Sequence, residues 1–157
     1  MTEIKFLKGD ATLPQGEGPK FIIHICNDVG AWGKGFVLAI SKRWPEPERE
    51  YRNWYATRVV SFSLGMIQTV QVEPQLHVVN MIAQSGLRWT NKTQPPIRYD
   101  ALETCLKQVA NRAKALNASV HMPRIGCGLA GGKWNLIEPI IIETLCSNNI
   151  PVSVYDL

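Results

Sequence analysis

The spacing of hydrophobic and polar residues along the chain predicts strands and helices in alternation. Short apolar runs bounded by turn-forming residues are typical of strands, and they predict strands at residues 4–7, 21–25, 66–72, 76–83, 119–122 and 151–155. Helices are predicted at residues 36–43, 46–57, 99–116 and 135–146. The third of these has the clearest helical spacing of apolar positions. Pro139 is expected close enough to the start of the last helix to be tolerated there.

Two of the predicted strands, 21–25 and 76–83, are apolar almost throughout. This pattern is typical of strands that are covered on both faces. Strands that alternate with helices therefore predict an α/β domain whose sheet has helices on both sides. We find no internal repeat, low-complexity segment or linker, so residues 1–157 are expected to form a single domain. In such sheets ligands bind at the carboxyl ends of the strands, where loops lead into helices.

Composition narrows the class of protein without naming a function. Seventeen Lys and Arg against thirteen Asp and Glu give a net charge of +4, a weak indication of an anionic partner. No basic arm or Lys/Arg-rich run favours nucleic acid. Cys26, Cys105, Cys127 and Cys146 form no C-x-x-C pair, which argues against a zinc site or a disulfide framework and favours reduced thiols. Without a leader-like or membrane-spanning segment, a soluble cytoplasmic protein is expected.

Two glycine-rich loops each run from a predicted strand to a predicted helix. We call residues 30–35 the first glycine loop and residues 124–132 the second glycine loop. Glycine lets a backbone approach a ligand closely, and a helix start offers unpaired N–H groups and a partial positive charge. Together the loops would suit a diphosphate, although each alone is equally well explained as a structural turn. Neither loop has the P-loop ending or the Rossmann glycine spacing.

The sequence resembles the macrodomain family in four segments that keep the family's order. They are Lys8-Gly9-Asp10, residues 24–35, residues 118–128 and residues 154–157. The resemblance implies a three-layer α/β/α sandwich with a mixed, mostly parallel central sheet. It also implies binding of ADP-ribose, either free or attached to a macromolecule, without a cofactor or a metal. Nucleic acid is then expected as a partner only when it carries ADP-ribose.

Particular segments look like different members of this family. The first glycine loop and residues 43–51 look like the yeast-type ADP-ribose 1''-phosphate phosphatases. Residues 118–128 look like both the chromatin-remodeller macrodomain and the hydrolases that remove ADP-ribose from glutamate. The leading interpretation is a binding module, and a hydrolase that uses the same pocket is the alternative. A nucleic-acid-binding domain is a third class.

The resemblance also implies a role for individual residues. Asp10, beside Ala11, would accept a hydrogen bond from the adenine amino group. Tyr155 would pack against the adenine ring, with Leu157 beside it, and Asn27 would bind the distal ribose. The backbone of the two loops would hold the diphosphate and distal ribose, through Gly33, Lys34, Gly35, Phe36, Gly126, Cys127, Gly128, Leu129, Ala130 and Gly131.

Several of these residues have a structural explanation as well. Asp10 could cap a turn, and Tyr155 could be an ordinary strand residue because aromatic side chains favour strands. Cys127 lies on a glycine loop near a helix start, where a thiol pKa can be lowered. No partner base is evident for it, so a structural role is the simpler explanation.

Catalysis depends on where the chain departs from the family pattern. The glutamate-specific hydrolases use a lysine after the fourth strand and an aspartate after Gly-Cys-Gly-Leu, and here these positions hold Gln84 and Ala130. A glutamine amide is a poor nucleophile and alanine does not titrate, so that route is closed. A phosphatase route stays open because it needs mainly a positioned water and electrostatic stabilisation. Asn27, Asp28 and His24 are its candidate groups, with Asp28 as general base, although His24 is also explained as a core residue.

Overall fold

Six strands and four α-helices follow one another in the order that the hydrophobic spacing predicts. The structure is a computed structural model that describes all 157 residues. The strands are β1 (Ile4–Lys8), β2 (Lys20–Asn27), β3 (Ile67–Glu73), β4 (Leu76–Gln84), β5 (Ser119–Met122) and β6 (Val152–Asp156). The helices are α1 (Phe36–Arg43), α2 (Glu46–Thr57), α3 (Tyr99–Leu116) and α4 (Trp134–Thr144). None of the helices is long and apolar enough to cross a membrane.

The strands form one sheet in the order β1-β6-β5-β2-β4-β3. Every neighbouring pair is parallel except β3 and β4, which are antiparallel. This confirms the expected mixed, mostly parallel sheet. The pairing of β2 with β4 shifts by one residue after Cys26, so that Asn27 lies opposite Gln84. The ends of these two central strands therefore lie side by side at the carboxyl edge of the sheet.

Hydrophobic clusters cover both faces of the sheet. On β2, Phe21 and Ile23 pack into the cluster formed with α3 and α4. Ile22 and Cys26 point to the opposite face and pack with α1 and α2. The chain is therefore a three-layer α/β/α sandwich, as expected. Double coverage also explains why β2 is apolar almost throughout instead of alternating.

The last helix differs from its prediction at both ends. It begins at Trp134, which places Pro139 inside the helix, beyond the first turn. The predicted helical end around Cys146 is instead a separate 3₁₀ turn, Cys146–Asn148. Asn149 follows with a φ of 61°, and the N–H of Ile150 reaches back to Leu145 O over 3.2 Å. The left-handed Asn149 therefore ends the 3₁₀ turn that follows α4.

Candidate functional site

The two glycine loops face each other across a cleft at the carboxyl edge of the sheet. The first glycine loop joins β2 to α1 and the second joins β5 to α4. Because β2 and β5 are adjacent parallel strands, both loops leave the sheet at the same edge. They enclose a cavity of about 220 Å³. Its lining includes the predicted binding residues Lys34, Gly35, Phe36, Gly126, Gly128, Leu129 and Ala130, together with His24.

Other predicted residues lie outside the lining of this cavity. They are Asp10, Ala11, Asn27, Asp28, Gly33, Cys127, Gly131, Tyr155 and Leu157. Conversely, several lining residues were not predicted as ligand contacts, namely Ile25, Val37, Gln84, Pro123, Arg124 and Ile125. Ile25, Val37 and Ile125 stand directly beside a predicted residue, and that position in sequence was the signal available for finding them.

Asn27 shapes the first glycine loop. Its Oδ1 accepts hydrogen bonds from the N–H groups of Val29 (3.0 Å) and Ala31 (3.1 Å), and its Nδ2 donates to Ala31 O over 2.7 Å. The hydroxyl of Tyr51 lies 2.8 Å from the same Oδ1 and 2.6 Å from Asn27 O. A ribose contact by Asn27 stays a prediction, and it would have to use the one amide hydrogen that these bonds leave free.

Helix α2 supports this loop through one face. Besides the Tyr51 contact, Arg52 lies 3.4 Å from the carbonyl oxygens of Gly30 and Trp32. The ring of Tyr55 packs so closely on Gly30 that a Cβ there would lie 2.3 Å from the ring. Sequence reasoning did not identify these supporting residues. Their spacing of three to four positions on a predicted helix was the only signal for them.

Asp28 and Gln84 together hold the turn that follows β4. Asp28 Oδ1 accepts a hydrogen bond from the N–H of Gly86 over 2.8 Å, and Gln84 Nε2 donates to Gly86 O over 2.9 Å. The N–H of Asp28 also donates to Gln84 O. One carboxylate oxygen of the candidate general base is therefore committed to the turn. Its catalytic role stays a prediction.

His24 forms part of the cavity floor as a neutral, buried side chain. Its Nε2 lies 2.5 Å from Asn80 Oδ1. Because the Asn80 amide donates to Gln68 Oε1 and Pro47 O, its Oδ1 is the acceptor and His24 Nε2 carries the proton. Burial lowers the pKa of His24 to about 4. The ring is therefore uncharged at neutral pH, and it packs edge-on against Trp32.

The fold requires a glycine at position 126 of the second loop but not at position 128. Gly126 has a φ of 75°, and a Cβ there would lie 2.6 Å from Ile97 Cδ1, so the fold itself needs glycine. Gly128 has no positive φ, and a Cβ there would meet nothing within 4 Å. It is exposed and lines the cavity. Neither backbone conformation nor packing explains why this position is a glycine.

Cys127 lies between these two glycines and does not have the reactive character considered above. Burial raises the pKa of its thiol, an effect that the charge of Arg124 opposes but does not overcome. This direction favours the structural role that the sequence analysis gives as the simpler explanation. The side chain is half-buried and lies outside the cavity lining.

Arg124 anchors the start of the second glycine loop. Its Nε and Nη2 bind both carboxylate oxygens of Asp156 over 2.9 and 2.8 Å. Its guanidinium also lies 4.8 Å from the ring centroids of Phe6 and Trp134. Since Asp156 O accepts a hydrogen bond from the N–H of Gly9, this residue links the second loop to the turn that carries Asp10.

Asp10 caps the turn after β1. Its Oδ1 accepts hydrogen bonds from the N–H and hydroxyl of Thr12 over 2.8 and 2.7 Å, and its Oδ2 lies 3.3 Å from Arg43 Nη2. Burial raises the pKa of Asp10, but the hydrogen bonds from Thr12 and Arg43 outweigh it and leave the pKa below its ordinary value. The carboxylate is therefore charged, and the adenine contact remains a prediction alongside the capping role.

The two predicted adenine-packing residues, Tyr155 and Leu157, differ in exposure. Tyr155 is only 3% exposed, with its hydroxyl 2.8 Å from both His121 Nδ1 and the N–H of Gln15. This placement favours the explanation as a buried strand residue, and the adenine contact stays a prediction. Leu157 is almost fully exposed.

The sequence profile of the Macro domain family matches residues 23–141. The chain belongs to the macrodomain family. It is 34% identical over 163 residues to the mouse chromodomain-helicase-DNA-binding protein 1-like, covering 98% of this chain and 18% of that protein. The chain thus spans less than a fifth of the length of its first curated relatives. An ADP-ribose 1''-phosphate phosphatase from Lodderomyces elongisporus is 22% identical, covering 98% of this chain and 99% of that protein.

Solved structures agree with this assignment. A Bacteroides thetaiotaomicron protein of unknown function is 59% identical, with a TM-score of 0.96 over 99% of this chain and 98% of the other. A macrodomain protein from Streptomyces coelicolor is 53% identical, with a TM-score of 0.87 over 99% of both chains. The Thermosipho africanus DarTG solved with ADP-ribose is 18% identical and shares the fold, with a TM-score of 0.67 over 86% of this chain and 37% of the other.

The cleft of this macrodomain is suited to an anion. Its lining contains Lys34 and Arg124 but no Asp, Glu or Cys. Gln84 and Ala130, the positions where the resemblance implies a lysine and an aspartate in the glutamate-specific hydrolases, both belong to the lining. A larger groove of about 720 Å³ lies elsewhere, beside the end of α1, but it contains neither glycine loop. The candidate site is therefore the smaller cleft, because its glycine loops expose backbone N–H groups that suit a diphosphate.

Proposed function

We propose that this macrodomain binds ADP-ribose, free or attached to a macromolecule, in the cleft between the two glycine loops. The observation that carries this proposal is Gly128, which lines the cleft although neither its φ nor its neighbours require a glycine. A ligand that lies against the backbone would explain the missing side chain. Both loops lead into helices, whose starts favour a diphosphate.

The relatives support the choice of ligand. The DarTG structure of the same fold contains ADP-ribose, and the phosphatase relatives act on a phosphate ester of ADP-ribose according to their names. Lys34, which forms no ion pair, supplies positive charge beside the loops, where the diphosphate would lie, whereas the charge of Arg124 is already paired with Asp156.

The geometry favours binding over hydrolysis. No carboxylate lines the cleft, and the carboxylate of Asp28 is hydrogen-bonded to the turn after β4. His24 is buried and bonded to Asn80, and its low pKa makes it a weak base. We therefore place phosphatase activity second to binding.

Calorimetric titration with ADP-ribose tests the proposal most directly. We expect heat of binding for the wild-type chain, a weaker signal for Gly128→Ala, and an affinity at least about 10-fold lower for Gly128→Val, equivalent to roughly 1.4 kcal/mol. Both substitutions should leave the melting temperature unchanged because the space at this position is open. Absence of binding by the wild-type chain at millimolar ADP-ribose would contradict the function. If Gly128→Val bound ADP-ribose with unchanged affinity, the diphosphate would not lie against the second loop.

A further inference from the structure

One hydrogen-bonding atom in the wall of the cleft has no nitrogen or oxygen partner in the protein. His24 lines the cleft and is only 2% exposed. Its Nε2 carries the ring proton and donates it to Asn80, which leaves Nδ1 as an acceptor with one lone pair. The contacts of Nδ1 within hydrogen-bonding range are limited to the sulfur of Cys26. A nearly buried side chain of the cleft therefore offers an acceptor that no N–H or O–H group of the chain uses.

The sulfur of Cys26 is a poor partner for this lone pair. It lies 3.9 Å from Nδ1 of His24 and 3.8 Å from Nε2. The lone pair of an imidazole nitrogen points outward in the plane of the ring, so an atom that is almost equally far from both nitrogens lies off its axis. A thiol is also only a weak donor. Buried acceptors are almost always hydrogen-bonded in folded proteins, and an exception of this kind requires a donor from outside the chain.

The neighbours of His24 hold its ring in one orientation. Asn80 fixes the proton on Nε2, because its own amide donates to Gln68 Oε1 and Pro47 O and leaves only Oδ1 to face the histidine. Trp32 packs edge-on against the ring, with the centroids 5.4 Å apart. The direction of the Nδ1 lone pair is therefore set before any ligand binds.

A neutral acceptor selects the kind of ligand group that can approach it. An unprotonated nitrogen accepts a hydrogen bond but repels the oxygens of an ionised phosphate, which are acceptors as well. ADP-ribose has donors only in its ribose hydroxyls and its adenine amino group, and the hydroxyls are the donors closer to the diphosphate. The cleft offers the diphosphate Lys34 and the backbone N–H groups of the two loops. A ribose hydroxyl beside the diphosphate is therefore the donor that suits His24.

We propose that Nδ1 of His24 accepts a hydrogen bond from a ribose hydroxyl of the bound ligand. This inference rests on the proposed function and deepens it, because it adds a side chain that recognises the sugar to the backbone groups that hold the diphosphate. His24 is then a binding residue that acts as a neutral acceptor, and Asn80 is its positioning residue. The hydroxyl belongs to the adenosine ribose or to the distal ribose, since both sugars adjoin the diphosphate.

The direct test is nitrogen NMR of the protein with ¹⁵N in the rings of its three histidines. A hydrogen bond to an unprotonated imidazole nitrogen moves its resonance to lower frequency. We expect saturating ADP-ribose to move Nδ1 of His24 in this way. Nδ1 of His121 is the internal control and should stay in place, because it lies outside the cleft lining and already pairs with the Tyr155 hydroxyl.

Two further ligands, in mildly alkaline solution, identify the donor. ADP keeps the hydroxyls of the adenosine ribose and lacks the distal ribose, whereas 2′,3′-dideoxy-ADP lacks both. A shift of His24 Nδ1 with ADP-ribose and with saturating ADP assigns the hydroxyl to the adenosine ribose. A shift with ADP-ribose alone assigns it to the distal ribose. An equal shift with 2′,3′-dideoxy-ADP would mean that no ribose hydroxyl causes it, and the inference would be overturned.

A substitution measures the contribution of this contact to affinity. His24→Gln keeps an amide donor for Asn80 but removes the imidazole lone pair, so calorimetry should show about tenfold weaker binding of ADP-ribose. His77→Gln is the matched control, because this half-buried histidine at the start of β4 lies outside the cleft lining. It should bind ADP-ribose as the wild-type chain does. If His24→Gln does not fold, the resonances of the wild-type chain decide alone.

Failure of this inference can be told apart from failure of the proposed function. If ADP-ribose binds without moving Nδ1 of His24, or if folded His24→Gln keeps the wild-type affinity, the contact is overturned and ADP-ribose binding stands. If the wild-type chain does not bind ADP-ribose, both fail.

Discussion

At the scale of single residues, the amide of Asn27 decides the shape of the first glycine loop. It accepts hydrogen bonds from the N–H of Val29, just before the loop, and of Ala31 within it, and it contacts the hydroxyl of Tyr51 from α2. A buried group left without its partner costs more than the hydrogen bond itself contributes. Asn27 and Tyr51 therefore influence a ligand mainly through the backbone that they hold in place.

Asn27→Ala should lower both stability and affinity, because it leaves the N–H groups of Val29 and Ala31 and the hydroxyl of Tyr51 without their acceptor. We expect a loss of about 2–4 kcal/mol in the free energy of unfolding, measured with urea. Tyr51→Phe keeps the buried ring and should lose only about 1 kcal/mol. If Asn27→Ala weakened ADP-ribose binding at unchanged stability, Asn27 would be a ligand contact and not a loop anchor.

The residues that line the cleft limit which reactions it could catalyse. With Gln84 and Ala130 in the cleft and no carboxylate in its lining, we expect no release of ADP-ribose from glutamate-modified protein. Release of phosphate from ADP-ribose 1''-phosphate should be slow at most, and should fall in Asp28→Ala but not in Asp100→Ala on the exposed start of α3. Chromatography of the products measures both reactions. Rapid turnover of the glutamate-linked substrate would show that the catalytic groups lie elsewhere.

At the scale of elements, the strands and helices follow from local patterns, whereas the contacts between them do not. The apolar run of β4 and the helical spacing of α3 give their positions to within one residue. The end of α4 was predicted two residues too late because the chain continues as a 3₁₀ turn at Cys146–Asn148, and hydrophobic spacing does not distinguish this turn from a last turn of α-helix. The two glycine loops were predictable because glycine is itself the signal for close backbone approach.

The residues that hold the site together could not be found in this way. Arg124 and Asp156 are 32 residues apart in sequence and meet because β5 and β6 are neighbours in the sheet. Tyr51 reaches Asn27 because α2 packs over the end of β2. Such pairs depend on topology, which hydrophobic spacing leaves open. The sequence therefore indicated the loops that form the cleft but not the side chains that position them.

At the scale of the whole molecule, two buried histidines form hydrogen bonds between distant segments. Both rings are uncharged in these networks. His24 joins β2 to Asn80 of β4. His121 joins β5 to β6 by accepting a hydrogen bond from the Tyr155 hydroxyl, which itself accepts from the N–H of Gln15. His121 Nε2 then donates to Ser119 Oγ over 2.7 Å. A second proton on His24 would face only the weakly accepting Cys26 sulfur, 3.9 Å from Nδ1, and a second proton on His121 would face the Tyr155 hydroxyl that now donates to it.

This arrangement predicts that the folded state loses stability in mild acid. Burial lowers the pKa of His24 and of His121 to about 4, from 6.5 in an unfolded chain. Between these values the unfolded chain binds more protons than the folded one, so stability is complete above pH 6.5 and falls as the pH drops towards 4. Each histidine should contribute a slope that approaches about 1.4 kcal/mol per pH unit.

Urea unfolding between pH 7 and 5, above the range in which most carboxylates titrate, measures this slope. Two histidines should bring it close to about 2.7 kcal/mol per pH unit at the acidic end of that range, and His121→Gln should reduce it by about half, whatever the stability of the variant at pH 7. His77→Gln is the matched control, because this third histidine is only half-buried and burial lowers its pKa less. Its substitution should leave most of the slope in place. A wild-type stability that stayed constant from pH 7 to 5 would mean that both rings accept protons in the folded state, and the neutral networks assigned to His24 and His121 would then be incorrect.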